Sequence, residues 1–344
     1  MMNTPGYNFI PAPLWLISSL HVLTLTLHFV AMNFLFGGLL VILFGRLDDK
    51  WNNTVVRRFI SLFPTAMAAT VTLGVAPLLF LQLAYHRQAY AASIVSGWWW
   101  LLIIGAVMVA YYLLYGAAFA RTRTRIPLLL GLAAVLLAYV SFVYSTVFSM
   151  AERPDLYHTL YAANRSGTAV NPEVGVWGFR WLHMLSGTVT VGAFFVGLLG
   201  RGDEKVYRLG RGFFLWGMAA SVVLGIAYLM SLGDTLVPMM RSPAMWLILV
   251  ALVLSLLSLH FYFRRRFLPA GVVLFVSLLS MVIVRHILRL IVLNGKWEPS
   301  SIPVKPQWSV FVIFLVCFLA AIGVVAWMLK AYFGDRARAN QANA

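Results

Sequence analysis

Long apolar runs recur from one end of the chain to the other, separated by short polar breaks. A helix rising ~1.5 Å per residue needs roughly 20 apolar residues to cross the hydrocarbon layer. Nine runs meet that length, at about 13–44, 58–85, 95–119, 127–149, 177–199, 211–232, 244–263, 268–292 and 308–331. The pattern predicts an all-α integral membrane protein of nine transmembrane helices forming one membrane domain over 1–344. No low-complexity region and no clear internal repeat is visible. The opening MMNTPGYNFIPAP carries no basic residue before the first apolar run, so that run reads as a retained helix rather than a signal peptide.

Composition supports the same class: 62% of residues are hydrophobic, 10% are charged, and the mean hydropathy is +0.87. A net charge of +16 raises the question of nucleic acid, and the distribution of the basic residues answers it. They gather in alternate loops: Arg46, Lys50, Arg57 and Arg58 after span one, Arg121, Arg123 and Arg125 after span three, and Arg201, Lys205, Arg208 and Arg211 after span five. Arg264, Arg265 and Arg266 follow span seven, and Lys330, Arg336 and Arg338 follow span nine. These are most of the 26 basic residues, and the positive-inside bias makes their side cytoplasmic and puts the N-terminus outside. The charge is a topology signal, and no nucleic-acid partner is expected. The longest outer loop, about 150–176, reads as a surface connection.

The ten acidic residues fall in or beside loops, among them Asp48, Asp49, Glu152, Asp155, Glu173, Asp203, Glu204, Asp234 and Glu298. Coupled transport of protons or cations usually needs carboxylates within the bilayer, so a carrier is disfavoured. Histidine takes their place. His21 and His28 lie in span one, His183 in span five, His286 in span eight, and His86 ends span two; all but the midplane His28 fall in the outer half. His260 lies at the opposite end of span seven, and His158 in the outer loop. An imidazole in hydrocarbon must be hydrogen-bonded or coordinated, and neutral imidazole is the commonest haem ligand. His21 and His28 are two helical turns apart on one face, separated by roughly 10 Å, a spacing for two stacked sites. Hydrogen bonding to neighbouring helices is the competing account, and it is preferred for His260 and His158. Arg285 and Arg289 share a face at i,i+4 and call for an anion; haem propionates or lipid phosphates would supply it, as snorkelling to headgroups would relieve it. The single cysteine, Cys317, excludes disulfides, thiolate clusters and thioether-linked haem.

Several segments resemble subunit I of the cytochrome bd quinol oxidase family over most of the chain. VNPEVGVWGFRWLHMLSGTVTVGAFFVGLL at 170–199 is similar to the segment whose histidine binds the low-spin haem b, which implies that role for His183. RSPAMWLILVALVLSLLSL resembles the start of the seventh span, where the family supplies a methionine as second axial ligand, and Met245 falls there. LHFVAMNFLFGGLL resembles the first span, so His28 takes the place of a reaction-centre ligand. TLGVAPLLFLQLAYHRQAY resembles the second span, and NGKW at 294–297 a remnant of a conserved turn, with Lys296 joining the cofactor-binding candidates. Departures are as informative. Span three, GWWWLLIIGAVMVAYYLLYGAAF, lacks the family's glutamates. Span eight offers Arg285, His286 and Arg289 instead of a haem-ligating glutamate. His21 and His86 are additional, and the quinol loop has shrunk to GDTLVPMMRSPA.

The resemblance implies a nine-span bundle binding two or three haem b groups. The expected iron ligands are His183, Met245, His28, His21 and His286. The wider cofactor-binding set adds His86, Arg285, Arg289 and Lys296. Reduction of oxygen consumes protons, and the missing carboxylates turn the expectation toward electron transfer. The expected activity is that of a quinol:acceptor oxidoreductase subunit in a bacterial or archaeal cytoplasmic membrane. It would join the quinone pool to an outer-face multihaem cytochrome c or iron–sulfur subunit, with a second membrane subunit and membrane lipid as further partners. Two alternatives stand beside it: a terminal quinol oxidase whose proton path comes from another subunit, and a haem-free transporter. Membrane-impermeant labels applied to intact cells are expected to reach loop 150–176 and to spare the loops at 46–58, 201–211 and 264–266; the reverse pattern would overturn the assigned topology.

Overall fold

The computed structural model describes residues 9–297, 300 and 302–342, without the side chains at 158, 329 and 332–342. His158, Glu298, Arg336 and Arg338 therefore lie outside the described side chains. Nine helices among the described residues are long and apolar enough to span a membrane. They are α1 (Leu14–Phe44), α2 (Thr54–Ala84), α3 (Gly97–Ala118), α4 (Ile126–Met150), α5 (Val174–Leu199), α6 (Glu204–Met230), α7 (Pro243–Phe263), α8 (Phe267–Leu293) and α9 (Trp308–Met328). The nine-helix expectation holds, with boundary shifts at polar ends. Helix α6 begins at Glu204 rather than 211, because the Asp203 carboxylate caps the amides of Lys205 and Val206 at 3.0 and 3.2 Å and carries the helix through two polar turns. Asn53 does the same for α2, accepting from Val55 and Val56 at 2.9 and 3.0 Å.

Hydropathy concealed an internal repeat. Helices α1–α4 pack in a ring, each on the next and α4 back on the end of α1, and α5–α8 form a second ring with the same neighbours. Between rings, α1 touches α8 and α4 touches α5, while α1 and α5 cross each other. Helices of equal rank run in the same direction, so the halves are related by a pseudo-two-fold along the membrane normal. Two contacts between equivalent residues mark its axis. Gly37 and Gly192, each nine positions after a histidine, meet at the α1–α5 crossing; a Cβ on Gly192 would stand 2.5 Å from the Gly37 Cα, and one on Gly37 would stand 3.1 Å from the Gly192 Cα. The helices can approach this closely only without side chains, the small-residue packing that replaces the hydrophobic effect within lipid. A π-turn at Asn33–Gly37 leads α1 into the crossing. At the basic end, the equivalent caps bond to each other, Asn53 Nδ2 donating to Asp203 Oδ2 at 2.7 Å.

The loops at this end are braced across the chain. Arg57 reaches the carbonyls of Ala117, Ala118 and Ala120 at 3.3–3.4 Å, and Arg265 pairs with Glu204. At the opposite end, segment 150–176 is not the plain surface connection expected of it. It includes a short helix, Tyr157–Ala163, and its Asn171 is buried, donating to Ser149 Oγ at 2.8 Å and accepting Trp177 Nε1 on its carbonyl at 2.9 Å. Helix α9 stands apart, with none of its described side chains buried. Its approach is tied to the chain start by a short bridge in which Lys305 N–H donates to Ile10 O at 2.8 Å. Gly192→Val is expected to cost about 1–3 kcal/mol by overpacking the crossing, read as a lowered unfolding temperature in detergent. Gly187→Val, where a Cβ meets nothing within 4 Å, is expected to be tolerated; equal losses would remove the crossing as a determinant.

Candidate functional site

Three of the membrane histidines are held in one way. His28 of α1 lies with Nδ1 2.9 Å from the Thr70 carbonyl of α2, and His21 lies with Nδ1 3.0 Å from the Pro77 carbonyl. These are antiparallel rungs, seven residues apart on both helices. In the second ring, His183 of α5 lies with Nδ1 2.9 Å from the Ser221 carbonyl of α6. A carbonyl oxygen can only accept, so each Nδ1 carries the proton and donates it, leaving the lone pair on Nε2. That is the tautomer and second-shell bond that metal-bound histidines use.

Glycines complete the two equivalent sites. One turn beyond Thr70 is Gly74, where a Cβ would sit 2.9 Å from the His28 ring. One turn beyond Ser221 is Gly225, where a Cβ would sit 3.0 Å from the His183 ring. The motif is thus a histidine on the first helix of each ring, with a carbonyl and a glycine four residues apart on the second. A ring that only needed a hydrogen bond could keep it against many neighbours; here the backbone bond fixes the orientation and the absent side chain makes room for the imidazole.

Met245 is half-buried in the first turn of α7, whose start is set by Ser242 Oγ accepting from Ala244 N at 3.2 Å. Within its ring α7 is diagonal to α5, since α6 and α8 are the neighbours of both. His183 and Met245 therefore belong to helices facing each other across a four-helix interior, the arrangement by which bundles hold cofactors between side chains. Among the described residues no three His, Cys, Asp or Glu side chains converge on one point.

The arginines required a correction to the acid inventory. Glu152 lies just beyond α4 in sequence but is drawn into the bundle end, where it is 6% exposed. Arg180 of α5 stands 3.5 Å from Oε2, Arg289 of α8 lies 3.3 Å from Oε1, and Arg285 donates to Oε1 as well. Burial alone would push the Glu152 carboxyl up, and Arg285, Arg180 and Arg289 together outweigh it and hold the group below the usual carboxylate range. Glu152 is the anion that the sequence appeared to lack. One carboxylate against three guanidinium groups nevertheless leaves a buried excess of two positive charges. Arg285 Nη1, Arg289 Nη1 and His286 Nδ1 are buried with no hydrogen-bond partner, while Arg180 Nη2 is satisfied by the Ser145 carbonyl at 2.6 Å. His21 is close enough to Arg285, His286 and Arg289 to feel their charge.

Beside this cluster α2, α4 and α8 leave a gap of only about 10 Å³, no larger than a water site, where Leu81, Phe148 and Leu293 pack around Gln88, Glu152 and Arg289. Gln88 Oε1 is buried without a donor, and Arg289 lies 5.3 Å from the Tyr85 ring centroid. His86 opens the short helix His86–Val95, with Nε2 buried and unpartnered; burial first, and then Arg87, keep its pKa below the ordinary histidine value. Lys296 is at the rim, 3.5 Å from Asp155, whose pKa is lowered to about 2 chiefly by its hydrogen bond with Arg153. His260 is exposed and packs edge-on to Phe261 rather than bonding a neighbouring helix. Sequence reasoning passed over Arg180, Glu152 and Gln88. A guanidinium within a span was the available signal, because Arg180 in GFRWLH has no acid near it along the chain. In comparisons with known proteins, the chain matches no described family and no curated protein.

Glu152→Gln is expected to cost roughly 3–5 kcal/mol, since it leaves buried Arg180 and Arg289 and half-buried Arg285 without their counter-charge. The pH dependence follows in sign. A folded-state pKa below the unfolded value of about 4.3 gives stability that is complete above that value and is lost as pH falls through the lower folded value. Thermal unfolding of wild type and variant is therefore expected to differ by a constant amount from neutral pH down to about 4.5 and to converge below it. A difference that disappears near neutrality would contradict the ionised cluster.

Proposed function

We propose that the chain is a membrane cytochrome b, resembling subunit I of the bd quinol oxidases. It carries electrons between membrane quinone and a redox partner at the Glu152 end, which the charge bias assigns to the outer face. The observation that carries this reading is the repeated histidine site, in which Nδ1 is bonded to a helix carbonyl, Nε2 keeps its lone pair and a glycine admits the ring. The residues fit haem b: His183 and Met245 across the second ring, His28 in the first, and His21 with His286 nearer the Glu152 end. The unpartnered Nη1 groups of Arg285 and Arg289 suit propionates. When bound, haem b supplies a one-electron couple whose potential is tuned by its axial ligands and its burial.

The chain's own residues orient and charge the site. The Thr70, Pro77 and Ser221 carbonyls hold the imidazoles in the ligating tautomer. Glu152 offsets one of its three arginines' charges and leaves two for anionic groups. Beside it, Gln88 Oε1 is a further buried acceptor without a donor. Lys296 and Asp155 lie at the rim, where a multihaem cytochrome c or iron–sulfur subunit would dock. Helix α9 is left to lipid or to a second membrane subunit. With no carboxylate along α3, the reading is electron transfer rather than oxygen reduction.

The purified protein is expected to show a Soret band and a reducible α-band, with at least two noncovalent haem b per chain by pyridine haemochrome; a colourless preparation would favour a haem-free transporter. Met245→Leu conserves volume, at a stability cost of less than about 1.5 kcal/mol. It is expected to convert one low-spin haem to a high-spin form that binds carbon monoxide, and His183→Ala to remove that haem. An unchanged α-band and midpoint potential in Met245→Leu would refute the pairing.

A further inference from the structure

At the basic end, the two repeats flank an open notch of about 700 Å³ between the C-terminus of α1 and the first turns of α6. Its lining includes Arg46, Lys50, Lys205 and Arg208 against one acid, Asp48, with Leu209 among the apolar lining residues. The four cations are not equally engaged. Lys50 Nζ caps α1 by donating to the Leu43 and Gly45 carbonyls at 3.1 and 2.8 Å and sits 4.5 Å from the Trp51 ring centroid. It is half-buried and makes no ion pair among the described residues, and burial lowers its pKa from the ordinary lysine value. Arg208 shares Glu204 with Arg265. The side chains of Arg46 and Lys205 are exposed and make no hydrogen bond or ion pair among the described residues.

Two features separate this notch from an ordinary basic loop. The Asn53–Asp203 bond joins the repeats within three residues of Lys50 and two of Lys205, so the opposing basic walls are held at a set separation. Phe44, the last residue of the apolar span α1, is 67% exposed immediately before Gly45 in the lining. The notch therefore opens at the depth where acyl chains give way to headgroups. Basic recesses between transmembrane helices at that depth are suited to anionic lipid.

We infer that the notch is a binding site for an anionic phospholipid, with its phosphate between Arg46 and Lys205, Lys50 and Arg208 flanking it, and an acyl chain along Phe44. Neither haem nor quinone enters the argument, so it is independent of the electron-transfer reading. The full-length protein in detergent is titrated with short-chain phosphatidylglycerol, with phosphatidylcholine and with inorganic phosphate, and its unfolding temperature is recorded. Phosphatidylglycerol is expected to stabilise the wild type at concentrations where the other two have no effect. Arg46→Gln with Lys205→Gln is expected to weaken that binding at least tenfold without lowering the unliganded unfolding temperature, because both side chains are exposed and neither makes a hydrogen bond or ion pair among the described residues. Arg46→Lys with Lys205→Arg is expected to restore most of it. Arg121→Gln with Arg125→Gln, in another basic loop at the same end, is the control and is expected to bind as wild type does. Equal weakening in the control would reduce the site to general surface charge, inorganic phosphate acting as well as lipid would make it a soluble-anion site, and undiminished binding by the double glutamine variant would overturn the assignment.

Discussion

Within hydrocarbon a polar side chain has no water to bond, and most of this bundle can be understood from how that demand is met. Each of His21, His28 and His183 meets it with a carbonyl of the neighbouring helix, which sets the register of α1 on α2 and of α5 on α6. Only one ring nitrogen is satisfied in this way. The other keeps its lone pair, so the bond that makes the histidine tolerable in the membrane also fixes its tautomer. For His28 and His183 a glycine follows four residues beyond the carbonyl, where a Cβ would meet the ring.

The arginines meet the same demand incompletely. Arg180 has a carbonyl and a share of Glu152, whereas Arg285 and Arg289 each keep an unpartnered Nη1. Their excess charge coincides with the one rung that the repeat does not duplicate. His21 lies seven residues before His28, and the position seven before His183 is Val176. The second imidazole and the carboxylate come from the first half and the guanidinium groups with unpartnered Nη1 from α8 of the second, so the two halves meet unequally at one end of the bundle. The pseudo-symmetric core provides two equal sites, and the departures from symmetry give this end its particular chemistry.

Much of this could be read from the sequence and some could not, for physical reasons. Spans are local: a run of apolar residues declares a helix wherever it lies, and all nine emerged. The first turns of α6 did not, because side-chain capping by Asp203 and the Glu204–Arg208 pair sustain a helix that hydropathy does not register. Glu152 looked like a loop residue since its partners lie 133 and 137 positions away in Arg285 and Arg289, and no local pattern encodes a contact of that range. The repeat was hidden because its halves share a few small or polar positions, His28 with His183 and Gly37 with Gly192, within an apolar background open to free exchange of Leu, Val, Phe and Ala. His183, His28 and the i,i+4 arginines were legible because polar residues in an apolar run are costly enough to need a reason.

The Asn53–Asp203 bond has a consequence for how such a molecule can exist as one chain. Residues on a two-fold axis meet their own equivalents, so two identical four-helix chains would present the same side chain twice at this point. Two aspartates would repel, and two asparagines would form only a neutral bond. Joining the halves covalently frees the two positions to diverge, and the chain has used that freedom to set an amide against a carboxylate, a charge-assisted pair 2.7 Å long. The same liberty allows the first half to carry His21 and Glu152 and the second to carry the arginines that meet the carboxylate. Fusion turns a contact that symmetry would force to be self-complementary into one that can be complementary, and it leaves the two halves free to differ where they meet.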